Sequence, residues 1–196
     1  MKIIRNPDFA SYTVEGKRLP GVTSIIKTVY NEQQWGTEAA KTRGIAVHQA
    51  TRFYDEDGPG FEQNLTAPID ESIRPYVDAW IRFRKDKNFQ PEAIEMSMAV
   101  PRLNYAGTVD RFGKLDGKNA LIDIKTGTPT IWTALQTIAY AHPLAEPCAR
   151  VIVQLKETGR YNLIDHPILE WRPDWDMWLT TLKAYRWILQ KRGETR

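Results

Sequence analysis

The spacing of hydrophobic positions changes several times along the chain, and each change marks an element. Before residue 37 no period is sustained, so irregular structure is expected there, with a short apolar turn at 22–29 after Leu19-Pro20-Gly21. Residues 37–54 predict a helix with Thr37 as its cap and Glu38 in the favourable first turn. The run Asp55-Glu56-Asp57-Gly58-Pro59-Gly60 is expected to end it. A second helix is predicted from about residues 70–72, with Pro75 tolerated in its first turn and Ile73, Tyr76, Val77, Trp80 and Phe83 on one face. From 93 to 125 the pattern becomes short β-forming segments of alternating polarity, broken at Pro101, at Leu103-Asn104 and at Asp116-Gly117. A helix over 132–144 follows, then strands over 150–155 and 160–165 around a turn at Thr158-Gly159. The last helix, over 174–191, carries Trp178, Leu182, Tyr185 and Leu189 on one stripe. This order predicts a mixed α/β (α+β) architecture, a central sheet flanked by helices. No linker or repeat interrupts it, so residues 1–196 are read as one domain.

Composition narrows the class. A hydrophobic content of 42%, with seven Trp, eight Tyr and six Phe, belongs to a globular chain rather than a disordered one. The single cysteine, Cys148, excludes an intramolecular disulfide and any four-cysteine zinc or iron–sulfur site. The N-terminal residues carry no signal-peptide apolar run, and no run reaches membrane-spanning length, which predicts a soluble cytoplasmic protein. The net charge of +3 does not identify a nucleic-acid partner. Its distribution offers two basic runs that could follow a phosphate backbone or simply be solvated helix faces. One is residues 81–87; the other is the tail with Lys183, Arg186, Lys191, Arg192 and Arg196.

The stretch GTVDRFGKLDGKNALIDIKTG carries the chemistry. Asp116-Gly117 is a type I′ turn signal, and a two-residue loop pairs Leu115 with Lys118. Counting outward, Arg111 faces Ile122 and Asp110 faces Asp123. Opposed residues have Cβ atoms about 4.5–5.5 Å apart, where like charges destabilise a sheet. A divalent cation is the natural compensation, since Mg²⁺ favours one or two carboxylates together with water and phosphate oxygens. Lys125 lies two residues beyond Asp123, on the same face. Two acids, a lysine and a metal suit hydrolysis of a phosphodiester. The apolar neighbours Leu121, Ile122 and Ile124 argue for a buried strand, on which such charges are costly unless paired.

Asp110 followed by Asp123-Ile124-Lys125 resembles the PD-(D/E)XK nuclease superfamily. Thr126-Gly127 after the lysine, Gln136-Thr137-Ile138-Ala139-Tyr140, and Arg43-Gly44 with His48 upstream resemble its RecB-like exonuclease branch. The stretch Leu19-Pro20-Gly21-Val22-Thr23-Ser24 is similar to the Pro-Ser-Val-Thr segment of mitochondrial genome maintenance exonuclease-like proteins and their phage and bacterial relatives, with Gly21 in place of the serine. The resemblance covers about residues 19–165 and implies a restriction-endonuclease-like fold. It further implies one or two Mg²⁺ or Mn²⁺ ions held by His48, Asp110, Asp123 and the main-chain carbonyl of Ile124, with Glu95 as an additional acid. Lys125 would then be catalytic, supported by Gln136 and Tyr140, which as i and i+4 share a helix face. Thr23, Ser24, Arg43, Thr108, Thr126 and Thr128 are candidate phosphate contacts.

The function so implied is a metal-dependent deoxyribonuclease, an exonuclease acting on DNA in phage or bacterial DNA processing, recombination or repair. A recombination or replication protein would be its partner, in the cytoplasm of a bacterial or phage-infected cell. Two alternatives stay open: a structure-selective endonuclease of the same fold, and a catalytically silent nucleic-acid-binding protein. Iron–sulfur versions of such nucleases need several cysteines, and an ATP-driven motor needs a P-loop; the chain has neither.

Overall fold

The computed structural model describes residues 1–6, 11–30, 37–144 and 147–194. Its largest unit is a five-stranded sheet of β4 (Gln90–Val100), β5 (Tyr105–Leu115), β6 (Lys118–Lys125), β7 (Ala149–Leu155) and β8 (Tyr161–His166), in that spatial order. All pairings are antiparallel except β6 with β7. The helix α4 (Thr133–Ala141) makes the crossover that this parallel pair requires. β6 therefore sits mid-sheet, and Ala120 to Ile124 are all buried. The fold is mixed α/β, a sheet with helices on both faces, as the pattern of elements predicted.

One face is covered by α2 (Glu38–Asp57) and α3 (Arg74–Asp86). Val47, Val77, Trp80 and Phe83 pack there on Ile122, Ile124, Val151 and Val153. The other face holds α1 (Val22–Tyr30), α4 and α5 (Trp171–Lys191), with Ile25, Ile138, Trp178 and Leu182 against Tyr105, Val109 and Leu121. Alternation along β6 feeds both layers: Ile122 and Ile124 point to α2 and α3, while Leu121 and Asp123 point to the α4 side.

Three expectations need correction. The N-terminal segment is not irregular: β1 (Ile3–Arg5), β2 (Ser11–Val14) and β3 (Lys17–Pro20) form an antiparallel sheet, and α1 follows; residues 31–36 lie outside the described residues. Strands of three or four residues are too short to show a period, and their apolar side chains find partners far away in sequence. Tyr12, Val14 and Leu19 pack with Ala106. Second, α2 runs past residue 54 to Asp57, because Asp55 is a buried ion-pair partner rather than a stop; Gly58, at φ 79°, ends the helix. Third, α4 is shorter than 132–144, with Trp132 as its cap. The hairpin turn matches its signal, Asp116 and Gly117 both having positive φ (47° and 80°).

Candidate metal centre and cleft

The predicted register holds from Leu115↔Lys118 to Arg111↔Ile122 and then stops. Asp110 and Asp123, expected as the next direct pair, do not continue the ladder. The Ile124 N–H instead donates to Asp110 Oδ2 at 2.8 Å, so a side-chain carboxylate takes the place of a backbone carbonyl and the strands fork. Like charges at the next rung favour this separation.

His48 comes from α2 into that fork. Its Nε2 lies 3.2 Å from the Ile124 carbonyl oxygen, and its Nδ1 is 3.5 Å from Glu95 Oε1 and 3.7 Å from Asp110 Oδ1. If the Nε2–H donates to the carbonyl, the Nδ1 lone pair faces the two acids, the orientation that a metal-binding histidine needs. Glu95 lies on β4 between the pairs Ile94↔Arg111 and Met96↔Val109, hence alongside Asp110. Its φ of 48° is left-handed, a conformation costing of order 1–3 kcal/mol for a residue with a side chain. The ligand atoms of His48, Glu95 and Asp110 all lie within 4.8 Å of one another.

Asp123 belongs to an adjoining group. Its Oδ1 accepts from Lys125 Nζ and from Gln136 Nε2, both at 2.9 Å, and Lys125 Nζ is 2.7 Å from Oδ2. Lys125 also donates to Gln136 Oε1 at 3.3 Å. Tyr140, one turn after Gln136, packs on Gly107: a Cβ added there would fall 2.3 Å from the Tyr140 ring. The resemblance implied Asp123 and the Ile124 carbonyl as ligands beside His48 and Asp110. In the structure Asp123 is held by Lys125 and Gln136, and the carbonyl faces the His48 ring.

The charges are mutually dependent. Burial pushes the Asp110 carboxyl up to about 6, with nearby Asp123 and Glu95 adding to the rise and His48 opposing it. Burial alone would lower the Lys125 ammonium, but Asp123 and Asp110 outweigh it and hold the pKa above the usual lysine value. His48 behaves alike: desolvation favours the neutral ring, and Asp110 and Glu95 more than offset it. Glu95, despite burial, is drawn below the usual carboxylate value by His48 and Arg111. Without a metal the site balances three acids against a protonated lysine, a histidine and an arginine.

These groups lie at or beside the floor of a cleft of about 960 Å³. All six candidate phosphate contacts line it: Thr23 and Ser24 at the start of α1, Arg43 on α2, Thr108 on β5, and Thr126 and Thr128 after β6. So do Arg5, Tyr12, Lys27, Lys41, Arg52 and Trp132, none of which the sequence singled out. Tyr12 and Thr108 share a hydrogen bond of 2.9 Å between β2 and β5. Only α1 and the N-terminal sheet, both unread from the pattern, could have flagged Arg5, Tyr12 and Lys27. The basic run 81–87 and the described part of the C-terminal tail do not line the cleft, and Arg196 lies outside the described residues. Arg84 turns inward to Asp55, and Arg186 donates to the Leu103 carbonyl.

The fold and the site together describe a mixed α/β protein with a histidine–carboxylate cluster at a strand fork, open to a cleft. Compared by sequence, the chain matches no protein family and no curated protein. Compared by structure, it resembles the crystal structure of "Putative exonuclease" from Eubacterium rectale, with a TM-score of 0.54 and 12% identity over 93% of this chain and 79% of that one. At that identity the likeness establishes the shared fold.

Proposed function

We propose that this protein is a divalent-metal-dependent nuclease of the PD-(D/E)XK type, a DNA exonuclease of the RecB-like branch. The observation that carries the reading is the convergence of His48, Glu95 and Asp110, within 4.8 Å of one another, next to Asp123, Lys125 and Gln136 in a cleft rimmed by cations and hydroxyls. The name of the structural neighbour points the same way. So does the chemistry of the donors, since carboxylates suit Mg²⁺ and Mn²⁺ and the imidazole favours the transition metal.

His48, Glu95 and Asp110 would hold the ion, with Asp123 at its edge. When bound, the ion polarises the scissile phosphate and makes a water more acidic. The remaining work falls to the chain. Lys125 is cationic in this environment, which suits it to neutralising charge that develops on the phosphate rather than to removing a proton. Asp123 and Gln136 fix its ammonium between them. Burial keeps the Tyr140 phenol protonated, so it can act as a donor toward the cleft. Thr23, Ser24, Arg43, Thr108, Thr126 and Thr128, all in the cleft lining, would grip backbone phosphates.

Cleavage of linear and circular DNA, with Mn²⁺ or with chelator, tests the reading. Linear DNA is expected to be degraded only with metal, and circular DNA to resist. Lys125→Ala and Asp110→Asn should each lower the rate by two to four orders of magnitude, about the range for losing one charge-stabilising group. Undiminished cleavage by both variants would sink the assignment; cleavage of circles would make the protein an endonuclease.

A further inference from the structure

Next to Asp110, and away from the cleft lining, sits a fully buried guanidinium. Arg111 donates from Nε to Asp55 Oδ2 at 2.5 Å, from Nη2 to Thr51 Oγ1 at 3.2 Å, and from Nη1 to Glu95 Oε1 at 3.1 Å and the Asp110 carbonyl at 2.6 Å. Asp55 is equally buried and also accepts from Trp80 Nε1 at 3.1 Å and from Arg84. A buried ion pair is weak evidence for stability, because desolvation offsets its attraction. Its geometry is more informative than its energy. One planar fork joins α2 to both strands that carry the acids, and both contacts to Glu95, from Arg111 and from His48, run through Oε1. Glu95 has the left-handed φ of 48°, which persists only where the surroundings hold it.

We propose that Arg111, anchored by Asp55 and Thr51, is a positioning residue for metal capture. It holds the Glu95 carboxylate and the Asp110 backbone in the arrangement that presents both acids to His48. The inference rests on the metal-dependent reading above. A guanidinium this close to Glu95 could instead act as a simple counter-charge, and the two roles predict opposite signs. A counter-charge weakens cation binding, so its removal tightens it. A positioning fork strengthens binding, and lysine cannot replace it, because a single ammonium on a flexible stem does not reproduce a rigid fork.

Mn²⁺ titration followed by the electron paramagnetic resonance signal of the free ion reads this without turnover. The proteins are the wild type, Glu95→Gln, Arg111→Lys, Asp55→Asn, Thr51→Val and the double variant Glu95→Gln/Arg111→Lys. Circular dichroism establishes that each is folded at the temperature used. Arg111→Lys is expected to weaken Mn²⁺ binding about tenfold or more, the usual effect of losing a partner that orients a ligand. Its effect should be smaller in the Glu95→Gln background, the remainder reporting its hold on the Asp110 backbone. Unchanged or tighter binding by folded Arg111→Lys overturns the proposal. If that variant does not fold, Asp55→Asn and Thr51→Val, which keep the guanidinium, decide: weakened binding supports the role and unchanged binding in both overturns it. Should the wild type bind no Mn²⁺, or Glu95→Gln bind it unaltered, the metal-centre reading fails and the positioning role with it. A weakened Glu95→Gln beside an unaltered Arg111→Lys overturns the positioning role alone.

Discussion

Ionisation of Asp110 opposes folding in the metal-free protein. Its carboxyl, at about 6 in the fold against an ordinary 3.8, binds a proton more tightly folded than unfolded. Stability is therefore gained as pH falls from about 6 toward 3.8 and is absent above that window. The raised His48 acts in the same sense, its contribution being present below the usual 6.5 and lost as pH rises through the folded value. Glu95, with a lowered value, opposes them only below the usual 4.5. His142 and His166, which burial lowers, pull the other way below the usual 6.5. The site's share is therefore read by difference: in chelator, going from pH 8 to pH 5 is expected to change the melting temperature more favourably in the wild type than in Asp110→Asn, and equal changes in the two would contradict the site's electrostatics. Gly107 offers a steric counterpart. Its added Cβ would lie 2.3 Å from the Tyr140 ring, so Gly107→Ala is expected to cost about 1–3 kcal/mol and to displace the tyrosine. In a double-mutant cycle of denaturant melts, Tyr140→Ala should relieve much of that cost; strict additivity would show that the two do not touch.

At the level of elements, the placement of the chemistry follows from β6. Its neighbours on both sides and the helices on both faces bury Asp123 almost completely, which is why Lys125 and Gln136 must satisfy it within the fold. The α2 helix matters because it delivers His48, and its start is secured by the Thr37 side chain accepting from the Ala40 N–H at 3.2 Å. Thr37→Ala should cost about 1 kcal/mol, a drop of a few degrees in melting temperature. The β5–β6 turn tests backbone strain apart from sterics. An added Cβ at Gly117 meets nothing within 4 Å, yet φ is 80°, so Gly117→Ala is expected to destabilise by about 1–2 kcal/mol through conformation alone. A neutral effect in a thermal melt would mean the turn rearranges. Both elements were legible in the chain, from a cap residue and from Asp-Gly. The fork beyond Arg111 was not: turn chemistry sets a register outward, but nothing local announces where a side chain will replace the ladder.

Taken as a whole, the molecule builds its site where three layers meet: α2 from one face, α1 and α4 from the other, and the forked sheet between them. A cation held there stabilises the fold it bridges. At a thousandfold excess over its dissociation constant it adds about 4 kcal/mol, so Mn²⁺ should raise the melting temperature by roughly ten degrees. His48→Ala should abolish most of that shift while the metal-free melting temperature changes far less; a full shift in the variant would place the ion elsewhere. Among the described residues no helix is long and apolar enough to cross a membrane. The sequence by itself determined what depends on near neighbours: the helical and strand periods, the hairpin register as far as Arg111 and Ile122, and Asp123 and Lys125 on one face of β6. Only the tertiary structure decided what joins distant segments. His48 meets Ile124 across 76 residues, Arg111 meets Asp55 across 56, and the cations that join Lys125 in the cleft come from α1, α2 and β1 rather than from the most basic runs. Periodicity and turn chemistry act over a few residues, whereas a buried charge is placed by whichever partner packing brings within reach, and that partner leaves no mark on the residues beside it.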